Sequence, residues 1–225
     1  MYRKRLYAAF TLLELIMVIV VLGILAALAM PRMERDFRQE VGDNILSAIR
    51  YTQHMALMDN VVVPTQARWQ RSFWRFGVRS CLKEEGDIFY YVGSDKNMEG
   101  NIDNNEAALD PANGKIMLGR AGTSCAEGIN NNASSDIFIT HKYGIKDSDI
   151  FKQCGGGKDI VRYVGFDYLG RPHTKFANSP RPDYRSLMHT DCNLTFEFKD
   201  PDIDDLVITI ERETGYAYIV GQPDS

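Results

Sequence analysis

From Phe10 to Met30 the only charged residue is Glu14, and the rest of the run is apolar apart from Thr11 and Gly23. Roughly 20 such residues make a helix of about 30 Å, the thickness of a bilayer core. The run is long enough to span. Beyond Pro31 the pattern turns amphipathic: Phe37, Val41, Ile45, Ile49, Thr52 and Ala56 recur every three or four residues, while Arg35, Arg38, Glu40, Asp43 and Arg50 take other faces. This spacing predicts one helix continued to about Met58 and ended by Asp59 and Asn60. Pro31 kinks it, because proline removes one internal hydrogen bond.

After Met58 the period changes. Stretches rich in β-branched and aromatic residues fall at 61–63, 72–79, 88–92, 115–118, 136–141, 160–166, 194–198, 206–211 and 217–220. Glu213, Thr214 and Gly215 mark a hairpin turn between the last two, with Gly supplying a positive φ. No second helical pattern of convincing length follows. The class expected is α+β, a long helix laid on antiparallel sheet. Its expected divisions are a leader at 1–9, an apolar helix half at 10–30, an amphipathic half at 31–59 and a β-rich head at 60–225.

Charge sets the orientation. Arg3, Lys4 and Arg5 precede the apolar run, so the positive-inside rule keeps residues 1–9 in the cytoplasm and sends everything after Met30 outward. The chain then crosses the inner membrane once, with its head in the periplasm. A removable signal peptide is the alternative: Ala27-Leu28-Ala29 has the small-x-small form of a signal-peptidase site, and cleavage there would release a secreted or periplasmic binding module. Against it, the run exceeds the usual signal core of about 7–15 residues. An acid in its first turn also gives a removable signal nothing.

With 44% hydrophobic and 25% charged residues, the 225-residue chain has an ordinary globular composition. Its 26 Lys and Arg face 30 Asp and Glu, a net charge of −4, and loss of the leader removes cations alone. That balance argues against nucleic acid as a partner, since phosphate binding needs a basic surface that releases counterions.

The segment Ala9-Phe10-Thr11-Leu12-Leu13-Glu14-Leu15-Ile16, with the unbroken apolar run and Pro31 behind it, resembles the class III signal of type IV prepilins and type II secretion pseudopilins. The resemblance implies a pilin-like fold, cleavage between Ala9 and Phe10 by a prepilin peptidase, and methylation of the new Phe10 amine. Ala9 stands where the family usually has Gly. It further implies assembly with other pilin subunits on an inner-membrane platform, in a pilus, a secretion pseudopilus or a DNA-uptake machine. Glu14 also has a physical reading of its own. A carboxylate within the membrane is costly and marks a partner. A neighbouring subunit's cationic N-terminal amine would neutralise it and fix the axial register; the alternative is a side chain that snorkels to the interface.

A second resemblance lies in the C-terminal half. Phe166-Asp167-Tyr168-Leu169-Gly170-Arg171-Pro172, the strand holding Phe196, residues 206–210 and Thr214-Gly215-Tyr216 are similar to the end of H-type minor pseudopilins and FimT-like pilins. They imply a minor subunit. Some FimT-like proteins bind DNA through basic surface residues, which the acidic balance here does not favour.

Cys81, Cys125, Cys154 and Cys192 form no C-x-x-C pair, and His189 with Cys192 and Cys154 gives zinc little support. Beyond the membrane they are disulfide formers. Of three possible pairings, those expected are Cys154–Cys192, tying the glycine-rich segment 155–157 to the strand at Leu194, and Cys81–Cys125. Residues 95–106 carry a candidate calcium loop. Asp95, Asn97, Glu99, Asn101, Asp103 and Glu106 take the ligand positions of an EF-hand, with Gly100 at the sharp turn. Glu99 is longer than the usual residue there, and a solvated turn cluster explains the same composition.

Nothing points to catalysis. Gly155-Gly156-Gly157-Lys158 is followed by Asp159 where a phosphate loop needs Ser or Thr, and neither H-E-x-x-H nor G-x-S-x-G occurs. Ser/His/Asp triads are spatial and escape a sequence search. Trp69, Phe73, Trp74 and Phe76 alternate with Arg68, Arg71, Arg75 and Arg79, a pattern that fits a half-buried strand better than a base-stacking surface.

Overall fold

The computed structural model describes residues 11–59, 61–81, 85–119, 132–154, 162–176, 181 and 183–222, without the side chains of 26–36. Ala9, Phe10, Cys125 and the glycines at 155–157 lie outside the described residues. Two compact units divide the chain, Met1–Gln39 and Glu40–Ser225. Helix α1, Leu12–Met58, belongs to both and runs through Pro31 without interruption.

In the second unit α1 is amphipathic as expected. Val41, Ile45, Ile49, Thr52 and Ala56 are buried, while Asp43, Ser47 and His54 are exposed. Gly42 admits a close neighbour: a Cβ there would lie 2.8 Å from Ile219 Cδ1. The helix stops at Met58, and Asp59 turns aside to accept the Trp74 indole N–H at 3.0 Å.

Among the described residues seven strands follow, β1 (Trp74–Ser80), β2 (Ile88–Ser94), β3 (Tyr163–Phe166), β4 (Pro172–His173), β5 (Cys192–Phe196), β6 (Leu206–Ile210) and β7 (Ala217–Ile219). They form a four-stranded sheet in the order β2-β1-β3-β4 and a three-stranded sheet in the order β5-β6-β7, with every pair antiparallel. A helix followed by antiparallel sheets is an α+β arrangement consistent with a pilin-like fold.

Strand β1 is more buried than its alternation predicted. Phe76, Val92, Val164 and Phe166 make a fully buried inner face, yet Arg75 on the other face is only 7% exposed. The cause is cover from the loops. The Phe176 ring lies on Gly165, Ile102 lies on Gly93, and the Arg75 guanidinium sits 5.2 Å over the Tyr163 ring.

Three expected strands fold otherwise. Residues 61–63 form no strand, and 115–118 contribute only isolated bridges, Ile116 pairing with Leu109 and Ala133. Residues 136–141 are helical: the turn Ser135–Ile137 leads into the short helix α2, Ile139–Tyr143. Local capping overrides β-propensity here. Ser134 Oγ accepts the Asp136 N–H at 3.3 Å, and Gly144 closes α2 in the left-handed region, donating to Ile139 and Thr140 carbonyls.

Both sheets are fastened to α1 by polar bonds. Gln53 Nε2 donates to Gly170 O at 2.9 Å, in the β3–β4 turn, and to Thr214 O at 2.7 Å, in the β6–β7 turn. Arg50 donates to Ala217 O of β7 from Nε at 3.1 Å and Nη2 at 2.8 Å. Gly215, at φ +70, brings its backbone against Gly170 O, leaving no room for a side chain. Gln53→Ala is therefore expected to lower stability by about 1–2 kcal/mol, and Gly215→Ala by about 2–3 kcal/mol through backbone strain and the displaced turn. Urea unfolding of the full-length protein in detergent measures both, and an unchanged midpoint for Gly215→Ala would contradict the clamp.

Candidate functional site

The first half of α1 presents an apolar surface over residues 12–25. From Leu12 to Leu25 the large side chains are exposed all round the helix, from 77% at Leu12 to 49% at Ile16. A helix that is apolar all round needs lipid or other helices to cover it. Thr11 starts it with a capping box. The Thr11 backbone N–H and hydroxyl both donate to Glu14 Oε2 at 2.9 Å, and the Glu14 N–H donates to Thr11 Oγ1 at 3.3 Å. The spacing T-x-x-E carried this signal in the sequence. Glu14 thus closes its own helix end. Among the described residues, no helix is long and apolar enough to cross a membrane.

The candidate calcium loop is entered from strand β2, with Asp95 and Glu106 buried and Asn97, Glu99, Asn101 and Asp103 exposed. Asp95 Oδ2 accepts the Gly100 N–H at 2.8 Å and lies 3.2 Å from Arg75 Nη2. Glu106 accepts the Asn97 N–H on Oε1 at 2.9 Å and the Asp103 N–H on Oε2 at 3.0 Å. Asn97 Oδ1 takes the Glu99 N–H at 2.9 Å. In this structure the Asp95 and Glu106 carboxylates are thus held by backbone N–H groups and, for Asp95, by a guanidinium. Among the described residues no group of three or more His, Cys, Asp and Glu could hold a metal ion.

Residues 4–30 match the family model of the prokaryotic N-terminal methylation motif. The chain carries a methylation motif. The match supports the type IV pilin and pseudopilin family, and with it a structural subunit processed by a prepilin peptidase and assembled with other pilin subunits. No curated protein and no solved structure matches the chain. Within the motif, Glu14 and Thr11 are the polar residues that the structure joins, while Ala9 and Phe10 lie outside the described residues.

Elsewhere the structure assembles groups that the sequence left scattered. Cys154 and Cys192 form a disulfide with Cα atoms 4.4 Å apart, fastening the segment before residue 155 to the start of β5. Cys81 is buried and disulfide-bonded. Asp167, His173 and Ser186 meet in the interior: His173 Nε2 lies 3.3 Å from Asp167 Oδ2, and Nδ1 lies 2.9 Å from Ser186 Oγ. This has the composition of a catalytic triad without its use. All three residues are buried, and Asp167 spends its remaining capacity on Leu169 N, Arg171 N and the Arg171 guanidinium, the last at 2.7 Å. The set fixes the β3–β4 turn. Arg171, unremarked by spacing alone, also lies 4.9 Å over the Tyr184 ring.

Burial pushes the Asp167 carboxyl up, but hydrogen bonds from His173 and Arg171 outweigh it and hold the group below its ordinary value. A depressed carboxylate stabilises the fold above the ordinary carboxylate range, and that contribution is lost as pH falls through the folded value. Arg171→Ala is expected to move the acid unfolding midpoint to higher pH, followed by circular dichroism. In the loop, Glu106→Ala leaves two N–H groups unpaired and is expected to cost roughly 2 kcal/mol. Millimolar calcium decides the metal reading of the loop: a rise in the melting temperature of the wild type that Glu106→Ala abolishes bears it out, and an unchanged melting temperature rules it out.

Proposed function

We propose that the chain is a minor subunit of a type IV pilus or type II secretion pseudopilus, made as a prepilin and built into the filament through α1. The observation that carries this reading is the methylation motif at residues 4–30, continued into a helix whose apolar side chains are exposed all round. Such a surface is stable only in a bilayer or among other helices, and a subunit that leaves the membrane for a filament core needs both. The prepilin peptidase cuts between Ala9 and Phe10 and methylates Phe10. Before assembly the run from Phe10 to Met30 holds the chain in the inner membrane, with its head in the periplasm; the length and apolarity of that run and the cations before it support this.

Glu14 pairs with the N-terminal amine of an adjacent subunit. Its place in the first turn supports that role, and one buried ion pair sets the register between helices. The minor, H-type assignment rests on the segments at 166–172 and 214–216. Their turns meet on Gln53, and so form one local structure despite their distance in sequence.

Intact-mass measurement of the protein co-expressed with a prepilin peptidase tests the processing. The expected N-terminus is methylated Phe10; a chain beginning at Met30 would make it a signal-peptidase product and overturn the reading. Glu14→Ala is expected to leave the protein membrane-bound and folded while abolishing its co-purification with filament partners.

A further inference from the structure

Two cavities open on the head on either side of Arg79, about 470 and 700 Å³ in volume, and the assembly role uses neither. Arg79, near the end of β1, lines both. Its guanidinium lies 4.6 Å over the Tyr91 ring, a stacking that fixes the plane and leaves its edge free to donate in pairs. We propose that the two cavities form one groove that binds a neutral oligosaccharide across Arg79.

The lining chooses the ligand class. In the larger cavity the carboxamides of Asn101, Asn104 and Asn105 stand beside the Asp103 carboxylate, over a small apolar floor of Ile102 and Leu118. In the smaller one Ser80 and Ser148 stand among Asp147, Asp149 and Arg162. Sugar hydroxyls donate and accept at once, so they need amides, carboxylates and guanidinium together, while their C–H faces need only a modest apolar floor. Among the described lining residues two arginines stand with three aspartates, a balance that does not favour nucleic acid or other polyanions. An extended peptide is excluded on other grounds. The outer edge of β2 is already taken, Val92 accepting from Ala108 N at 2.9 Å and donating to Met117 O at 3.0 Å, so no strand can add there.

Saturation-transfer NMR on the full-length protein in detergent micelles tests the groove, with cellohexaose, N-acetylchitohexaose and single-stranded polythymidine as probes. At least one neutral sugar is expected to receive saturation, and its affinity to fall about tenfold in Arg79→Ala and in Asn104→Ala/Asn105→Ala, the loss of one or two hydrogen bonds. Asn104 and Asn105 are exposed, so their double variant decides the matter if Arg79→Ala does not fold. The proposal is overturned if neither sugar receives saturation, if the Asn variant binds as the wild type does, or if polythymidine binds more tightly than the sugars. None of these outcomes depends on pilin processing or on Glu14.

Discussion

In the head two turn carbonyls, one from each sheet, find the same side-chain donor. Gly170 O belongs to the four-stranded sheet and Thr214 O to the three-stranded sheet, and both accept from the Gln53 amide on α1. That single constraint fixes which face of the helix turns inward and where each sheet ends. Arg50 repeats it one turn earlier on Ala217 O, and Gly42 lets Ile219 approach the helix backbone. Apolar burial of Val41, Ile45 and Ile49 supplies the larger share of the free energy. The polar bonds supply position, because they are directional where burial is not.

The same helix begins with an apolar stretch. Residues 12–25 offer no polar face, and the first N–H groups of a helix need partners that the helix itself cannot give. The Thr11 and Glu14 capping box answers that demand from within the chain. A carboxylate is thereby placed in the first turn, held by the residue that starts the helix.

Charges inside the head act as joints rather than as a source of stability. Arg75 and Asp95 are both buried and lie 3.2 Å apart, yet Arg75 Nε and Asp95 Oδ1 find no hydrogen-bond partner. Such a pair recovers its desolvation only in part, so its use is to hold β1, through the Tyr163 ring, to the loop that leaves β2. Asp167 is better satisfied, with four hydrogen bonds from Leu169 and Arg171. It locks the turn whose Gly170 carbonyl then meets Gln53.

Periodicity and composition determined the long helix, the methylation motif and most of the sheet strands, because these follow from local spacing and from length. Four dispersed cysteines with no metal-ligand spacing implied disulfides in the same way, and Cys154–Cys192 is one. Tertiary structure decided what depends on non-local neighbours. It made residues 136–141 helical, since Ser134 and Gly144 cap a turn that β-propensity cannot sense. It buried Arg75 under loops far away in sequence. Spacing alone gave residues 95–106 the ligand order of a calcium loop; that Asp95 meets Arg75 and Glu106 meets two backbone N–H groups was decided by folding. Likewise Asp167, His173 and Ser186 could be joined only in space, and their burial, invisible in the chain, makes them a structural knot in place of a reactive site.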